Sequence, residues 1–383
     1  MKKHDGLVIH LVAAARPNFM KVAPLYHALA AESWCRARIV HTGQHYDANM
    51  SDAFFRDLRL PEPSYSLGVG SGTNAEQTGG VMIAYERVVN LERPDWIVVV
   101  GDVNSTLACA LVAAKQGVPV IHLEAGLRSG DRRMPEEINR IATDAICDVL
   151  WTPSPDADEN LEREGIARDK IDRVGNIMID SFEMMRPAIA ADRTVHKLGL
   201  SGIPFGVITL HRPSNVDSPV TLRDLVQSMV SVSTRVPLVF AVHPRTQRKL
   251  VEFGLLDEIE KANRAADGYA KDRRILLVEP LGYVQFMNLV QSAAMVITDS
   301  GGVQEESTYL GVPCLTLREN TERPVTITHG TNQLVQPGQM LACVDAILAG
   351  AWRRGQRPEL WDGAAAGRCV ESLRRRTTSE GGR

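Results

Sequence analysis

Short apolar runs alternate with amphipathic stretches along the whole chain, and the spacing predicts an α/β protein. In the first half, residues 7–13, 37–41, 96–100, 118–123, 149–152 and 171–174 read as buried strands. Helical patterns fill the gaps at 19–32, 82–91, 105–116, 137–147 and 157–164. Alternation of this kind needs crossover connections and therefore a mainly parallel sheet. A polar helical connector at 180–198 precedes a second round of the same pattern. Its strands are expected at 205–210, 237–241, 275–278, 295–298 and 312–315, its helices at 221–235, 283–291, 303–310 and 340–349. The expected architecture is two Rossmann-like, doubly wound α/β domains, residues 1–178 and 179–362, facing each other across a cleft between their strand C-termini. A last helix at 363–376 could join either half, and the polar stretch 377–383 is expected to fray.

Bulk properties narrow the class. A chain of 383 residues exceeds the usual size of one core, which agrees with two domains. A net charge of −3 gives no reason to expect a nucleic-acid or membrane partner. Six cysteines without CxxC or Cys/His spacing point to reduced thiols packed in the core, with neither a disulfide frame nor a metal site. The apolar run 7–15 is interrupted by His10 and leads into Arg16-Pro17, so it reads as a strand entering a helix and not as a secretory leader. No window reaches the roughly 18 apolar residues of a membrane span, and the expected location is the cytoplasm.

Candidate chemistry sits at strand ends. Asp102 follows the 96–100 strand, Glu124 closes the 118–123 strand, and Glu136 lies just beyond in Pro135-Glu136-Glu137. Acids there can cap helices or pair with Arg128, Arg132, Arg133 and Arg140; as a trio they are also well placed to move protons. In the second half, Thr298-Asp299-Ser300-Gly301-Gly302 turns from a strand directly into a helix. Free N–H groups and the helix dipole suit such a turn to a diphosphate, and Glu306, one turn on, could reach the hydroxyls of an attached ribose. Arg16, Lys21, His211-Arg212, His243-Pro244-Arg245 and Arg323 supply cations at other strand ends or nearby loops. Gly68, Gly70 and Gly72 lie in a Gly/Pro/Ser-rich stretch, 61–80, expected to be a surface loop or a lid; lacking a strand before and a helix after, it fails as a dinucleotide fingerprint.

Taken together, Arg16-Pro17-Asn18…Lys21, Gly101-Asp102, Glu124-Ala-Gly-Leu-Arg128, Pro135-Glu-Glu-x-Asn-Arg140, Gly175-Asn176, His211-Arg212, Asp299-Ser-Gly-Gly-x-Gln-Glu-Glu306 and Thr321-Glu-Arg-Pro324 resemble the non-hydrolysing UDP-N-acetylglucosamine 2-epimerases, over residues 7–375. The resemblance implies a GT-B-like pair of domains with the last helix crossing back to the first. It also implies a homodimer that binds a UDP-sugar and uses no NAD or metal. Carried over, it makes Asp102, Glu124 and Glu136 the catalytic acids and bases, with His211 beside them in the catalytic set. Arg16, Lys21, Phe286, Ser300, Gly301, Gly302, Glu306 and Arg323 become UDP-sugar contacts, Phe286 through its backbone at the uracil. The chain departs from common family patterns at Ala14-Ala15-Arg16-Pro17-Asn18, at His211-Arg212-Pro213-Ser214 and at Gln44-His45-Tyr46. The first two bear on which sugar is taken, the third on activation by a second substrate molecule.

The implied reaction inverts C2 of the sugar, supplying a ManNAc-type precursor for surface polysaccharide. UDP leaves C1, a carboxylate removes the C2 proton, and UDP adds back to the 2-acetamidoglucal after a proton reaches the opposite face. The alternatives are the same chemistry on a modified sugar such as UDP-2,3-diacetamido-glucuronate, a hydrolysing epimerase, and, more distantly, a GT-B glycosyltransferase.

Overall fold

The computed structural model describes residues 6–43, 58–264 and 274–380. Chain contacts divide it into one unit of Met1–Met185 with Glu359–Arg383 and another of Arg186–Pro358. Each unit is a parallel sheet wrapped by helices.

Among the described residues the first unit holds seven strands: β1 (Leu7–Ala13), β2 (Cys35–His41), β3 (Tyr65–Ser66), β4 (Trp96–Val100), β5 (Val120–Leu123), β6 (Val149–Thr152) and β7 (Ile171–Arg173). Their spatial order is β3-β2-β1-β4-β5-β6-β7. β1 is an interior strand, and in its register Leu11 faces Ile39 on one side and Val98 on the other. The order reverses between β1 and β4, the switch point where ligands of open α/β sheets bind at the strand C-termini. β4, β5 and β6 are buried along their whole length, and β4 is isoleucine and valine after its first residue, as strands covered on both faces are. Val12, Val40, Ile97, Val99 and Val120 form one core with Tyr85, Val88, Cys109 and Val112 of the covering helices.

The second unit repeats the plan with β8 (Gly206–Thr209), β9 (Leu238–Ala241), β10 (Ile275–Val278), β11 (Met295–Thr298), β12 (Cys314–Thr316) and β13 (Asn332–Leu334). The order is β10-β9-β8-β11-β12-β13, again all parallel, with its switch point between β8 and β11. Ile208, Phe240, Ile275, Ile297 and Leu315 pack against Leu225 and Met229 of the Pro219–Ser233 helix.

Several expectations change. The helix expected to begin at residue 82 begins at Asn74, because Thr73 caps it and Glu76 reciprocates by accepting the Thr73 N–H at 2.8 Å. Much of the 61–80 stretch is therefore not a loop: Tyr65–Ser66 extends the sheet and a helix occupies its end. β13 and the helices Pro244–Glu252 and Leu256–Arg264 were not foreseen, since their apolar content is low. Residues 44–46 lie outside the described residues.

The last helix, Ala365–Glu380, belongs to the first unit. Asp180 caps it from a distance, accepting the N–H groups of Ala365 at 3.1 Å and Ala366 at 2.8 Å. Along its length Ser372 accepts the Trp151 indole N–H at 2.8 Å and donates to Asp172 at 2.7 Å. Residues 377–380, expected to fray, stay helical: Arg376 pairs with Asp172 at 2.8 Å, and Thr377 and Thr378 donate back to the Arg374 carbonyl. Residues 381–383 are outside the described residues. Among the described residues no helix is long and apolar enough to cross a membrane.

Gly175 sits where this helix closes on the sheet. Its φ is +89°, and a Cβ there would fall 2.2 Å from the Leu360 carbonyl oxygen. Gly175→Ala should cost roughly 1–3 kcal/mol and lower Tm by several degrees in thermal unfolding. An unchanged Tm would contradict this account of the junction.

Candidate active site

In the first unit the candidate acids gather at the C-terminal ends of β4 and β5. β4 ends at Val100 and Gly101 follows, its φ of +70° turning the chain into Asp102. The Asp102 carboxylate pairs with Arg140, and its carbonyl accepts from the Asn139 amide at 2.9 Å. Both partners come from the Pro135–Ile146 helix, so the Pro-Glu-Glu-x-Asn-Arg motif has a mechanical meaning. Glu136 lies three and four residues before Asn139 and Arg140, on the same helical face. Its side chain is exposed in the first turn. Glu137, next to it, is buried and structural: it accepts from Arg140 at 2.7 Å and from the Ser129 and Gly130 N–H groups at 3.0 and 2.8 Å. Burial pushes the Glu137 carboxyl up, but these donors outweigh it and hold the group below the usual carboxylate range.

Glu124 is the strained member. It occupies the left-handed region at φ +75°, which a side chain with a Cβ adopts at a cost of about 1–2 kcal/mol. The strain is held by Trp151, whose carbonyl accepts the N–H groups of both Glu124 and Ala125 at 3.1 Å. The carboxylate is 8% exposed and pairs with Lys21, itself 8% exposed. Lys21, assigned by resemblance to the nucleotide, is thus brought onto a candidate acid. A Cβ on Gly101 would lie 3.4 Å from Asn18 Nδ2 and from Glu124 Oε2 and 3.6 Å from Lys21 Nζ, so all four residues crowd one spot. Arg16 begins the Arg16–Ala30 helix, and its side chain lies outside the described residues.

In the second unit the hub is Asp299, fully buried at the end of β11. It accepts His211 Nδ1 at 2.9 Å, the Arg212 N–H at 2.9 Å and the Asn215 amide at 3.0 Å. Burial raises the Asp299 carboxyl, and the His211, Arg212 and Asn215 donors more than offset it, leaving it below its ordinary value. Since Nδ1 donates to Asp299, Nε2 is the His211 atom left for proton exchange. The His211 side chain is 40% exposed.

Ser300, Gly301 and Gly302 follow, half-buried, and open the Gly301–Leu310 helix. Arg323 lies across this turn: a Cβ on Gly301 would meet its guanidinium at 2.6 Å, whereas the same direction at Gly302 is open. Arg323 is held by Glu305 at 2.9 Å and by Glu322, which Arg318 also grips at 2.7 Å. Glu306 accepts the Tyr283 hydroxyl at 2.7 Å. Burial pushes the Glu306 carboxyl up to about 8, and Glu305 adds to the shift. Phe286 is half-buried in the Tyr283–Ser292 helix, and its N–H is committed to the Gly282 carbonyl at 2.9 Å.

The roles of Asp299, Asn215 and Tyr283 come from the structure and not from the sequence pattern. Asp299 directly precedes the Ser-Gly-Gly turn, and its position at a strand end was the available signal. Tyr283 carries no local signal, since 22 residues separate it from Glu306.

Comparison with known proteins is consistent with this geometry. The family model described as UDP-N-acetylglucosamine 2-epimerase matches residues 27–374. The UDP-N-acetylglucosamine 2-epimerase of Methanocaldococcus jannaschii is 42% identical over 334 residues, covering 85% of this chain and 88% of that protein. The UDP-2,3-diacetamido-2,3-dideoxy-D-glucuronate 2-epimerase of Pseudomonas aeruginosa is 40% identical over 328 residues, covering 85% and 87%. A crystal structure of the Methanocaldococcus jannaschii enzyme with UDP-GlcNAc and UDP matches with TM-score 0.84 at 39% identity, covering 96% of this chain and 99% of that one. The two parallel-sheet α/β units are accordingly of the GT-B-like class, and this chain belongs to the UDP-N-acetylglucosamine 2-epimerase family.

Proposed function

We propose that the protein interconverts UDP-N-acetylglucosamine and UDP-N-acetylmannosamine by elimination and re-addition of UDP, without net hydrolysis. The observation that carries the proposal is the gathering of Asp102 and Glu124 at adjacent strand ends of the switch-point sheet, with Lys21 of the Arg16–Ala30 helix paired to Glu124 and Glu136 on the helical face that holds Asp102.

The C2 hydrogen of the sugar is not next to a carbonyl, so a carboxylate cannot remove it directly. Breaking the C1–O bond to the diphosphate first gives oxocarbenium character at C1 and acidifies C2–H. A carboxylate of the Asp102, Glu124 and Glu136 set takes that proton, leaving UDP and a 2-acetamidoglucal. Return of a proton to the other face of C2, with the UDP oxygen adding to C1, completes inversion. Two faces call for two acid/base groups, and a third acid tunes its neighbours.

In the second unit, the Ser300-Gly301-Gly302 turn and Arg323 stabilise the departing diphosphate, with His211 Nε2 as a proton donor to it. Glu306 takes the ribose hydroxyls, and the Phe286 backbone meets the uracil. The family resemblance assigns Arg16 and Lys21 to the nucleotide-sugar as well. By the same family resemblance the working form is a cytoplasmic homodimer supplying a ManNAc-type unit for surface polysaccharide. A second substrate, a UDP-2,3-diacetamido-glucuronate, is favoured by the Pseudomonas aeruginosa relative, whose name specifies that sugar.

Incubation with UDP-GlcNAc in D2O, followed by NMR at C2, should show deuterium entering C2 as UDP-ManNAc accumulates. An intact C2–H with sugar passed to an acceptor would establish a transferase instead. Asp102→Asn, Glu124→Gln and Glu136→Gln should each lower kcat by about 10²–10⁴-fold while UDP binding stays near wild type. Full turnover in all three would remove the acid/base assignment.

Glu306→Gln separates binding from stability. The folded-state value of about 8 lies above the ordinary 4.5, so folding loses stability as pH rises through that window. The glutamine variant should melt higher than wild type at pH 8, lose that pH dependence and bind UDP more weakly. Wild-type affinity in the variant would argue against a ribose contact.

A further inference from the structure

His122 is a buried, chemically capable residue that the proposed reaction does not use. It lies in β5 with no solvent exposure, one residue from Leu123 and two from Glu124. Its Nε2 is 2.8 Å from the Gly101 carbonyl oxygen, and its Nδ1 is 2.6 Å from Asp144 Oδ1. A carbonyl oxygen only accepts, so Nε2 carries a hydrogen. Asp144 already receives the Gly126 N–H at 3.1 Å and the Arg128 guanidinium at 2.7 Å on its other oxygen. An oxygen pair facing a guanidinium and a backbone N–H is an anion, and an anion can only accept from Nδ1. Both ring nitrogens are therefore donors.

The two ends of this bridge hold two different turns. Gly101, at φ +70°, is the residue immediately before Asp102. Gly126, at φ +80°, is two residues after Glu124, and a Cβ on it would meet the Ala157 carbonyl oxygen at 2.4 Å. Gly101 N also donates to the Leu123 carbonyl at 3.1 Å, tying the β4 turn to the end of β5. The ring thus reaches from one strand-end loop to the acid that secures the next.

We propose that His122 is a positioning residue for the reaction: as a doubly protonated ring bridging the Gly101 carbonyl and Asp144, it holds the turns that present Asp102 and Glu124 in one fixed relation. The proposal rests on the reading of those two carboxylates as the proton-transfer groups. It explains why a histidine occupies the interior of a strand whose neighbours Val120, Ile121 and Leu123 are all apolar. An aliphatic residue would fill that space but take the His122 donors from the Gly101 carbonyl and from Asp144 Oδ1, removing one of the ties that fix the β4 turn. A misplacement of about 1 Å in an acid/base group is enough to cost on the order of 100-fold in rate.

Two measurements on the full chain test it. In protein carrying [15N]histidine, the His122 ring, assigned by its loss in His122→Phe or His122→Gln, should show two N–H protons that exchange slowly with water. A ring with a single N–H, the second proton lying on Asp144, would overturn the bridge, and this reading does not require any variant to be active. His122→Gln, which keeps one amide donor, should lower kcat on the order of 100-fold with KM for UDP-GlcNAc within a few-fold of wild type. A loss confined to KM or to Tm, with kcat retained, would overturn the positioning role. Turnover of Asp102→Asn and Glu124→Gln tests the acid/base reading separately, so its failure is distinguishable from failure of the bridge.

Discussion

Asp144 is the buried charge on which the acidic site depends. A carboxylate with no solvent contact is costly unless donors surround it, and here His122, Arg128 and the Gly126 N–H do so. Burial alone would push this carboxyl up; His122 and Arg128 outweigh that and hold it below its ordinary value. Removing one partner would strand the others, so the arrangement behaves as one unit. Through His122 and the Gly126 N–H it is linked to the loops after β4 and β5, while the Trp151 carbonyl holds the left-handed Glu124.

The second unit solves the same problem with the same device. Asp299 is as buried as Asp144, and it too gathers a histidine, a backbone N–H and further polar side chains at a strand end. In each unit, then, a buried aspartate is hidden beneath the loop while a partly exposed or pocketed side chain does the chemistry proposed for it. Asp102 and His211 are the more accessible groups, at 35% and 40% side-chain exposure. A rigid interior charge presenting a reachable neighbour is how a strand end combines order with reactivity.

Much of this was legible from the chain. β1, β4, β6, β10 and β11 fall where the apolar runs place them, and β4, β6 and β11 are buried along their whole length, as strands covered on both faces are. The Ser-Gly-Gly turn was readable from local chemistry, since glycine directly before a helix has few other uses. What escaped was long-range or composed of polar residues. The Thr73 cap moved a helix start by two turns, and β3 and β13 are too short to show alternation. The pairing of Lys21 with Glu124 spans 103 residues, and that of Arg140 with Asp102 spans 38, so no window could hold either.

The proposed inversion of C2 requires that the C1–O bond break first. Positional isotope exchange tests that directly, using UDP-GlcNAc with 18O in the oxygen bridging C1 and the β-phosphorus. Elimination frees a β-phosphate whose oxygens become equivalent, so the label should migrate from the bridge to non-bridging positions as the epimer forms. Epimerisation with the label still wholly in the bridge would mean that the bond never breaks, and the proposed chemistry would be wrong.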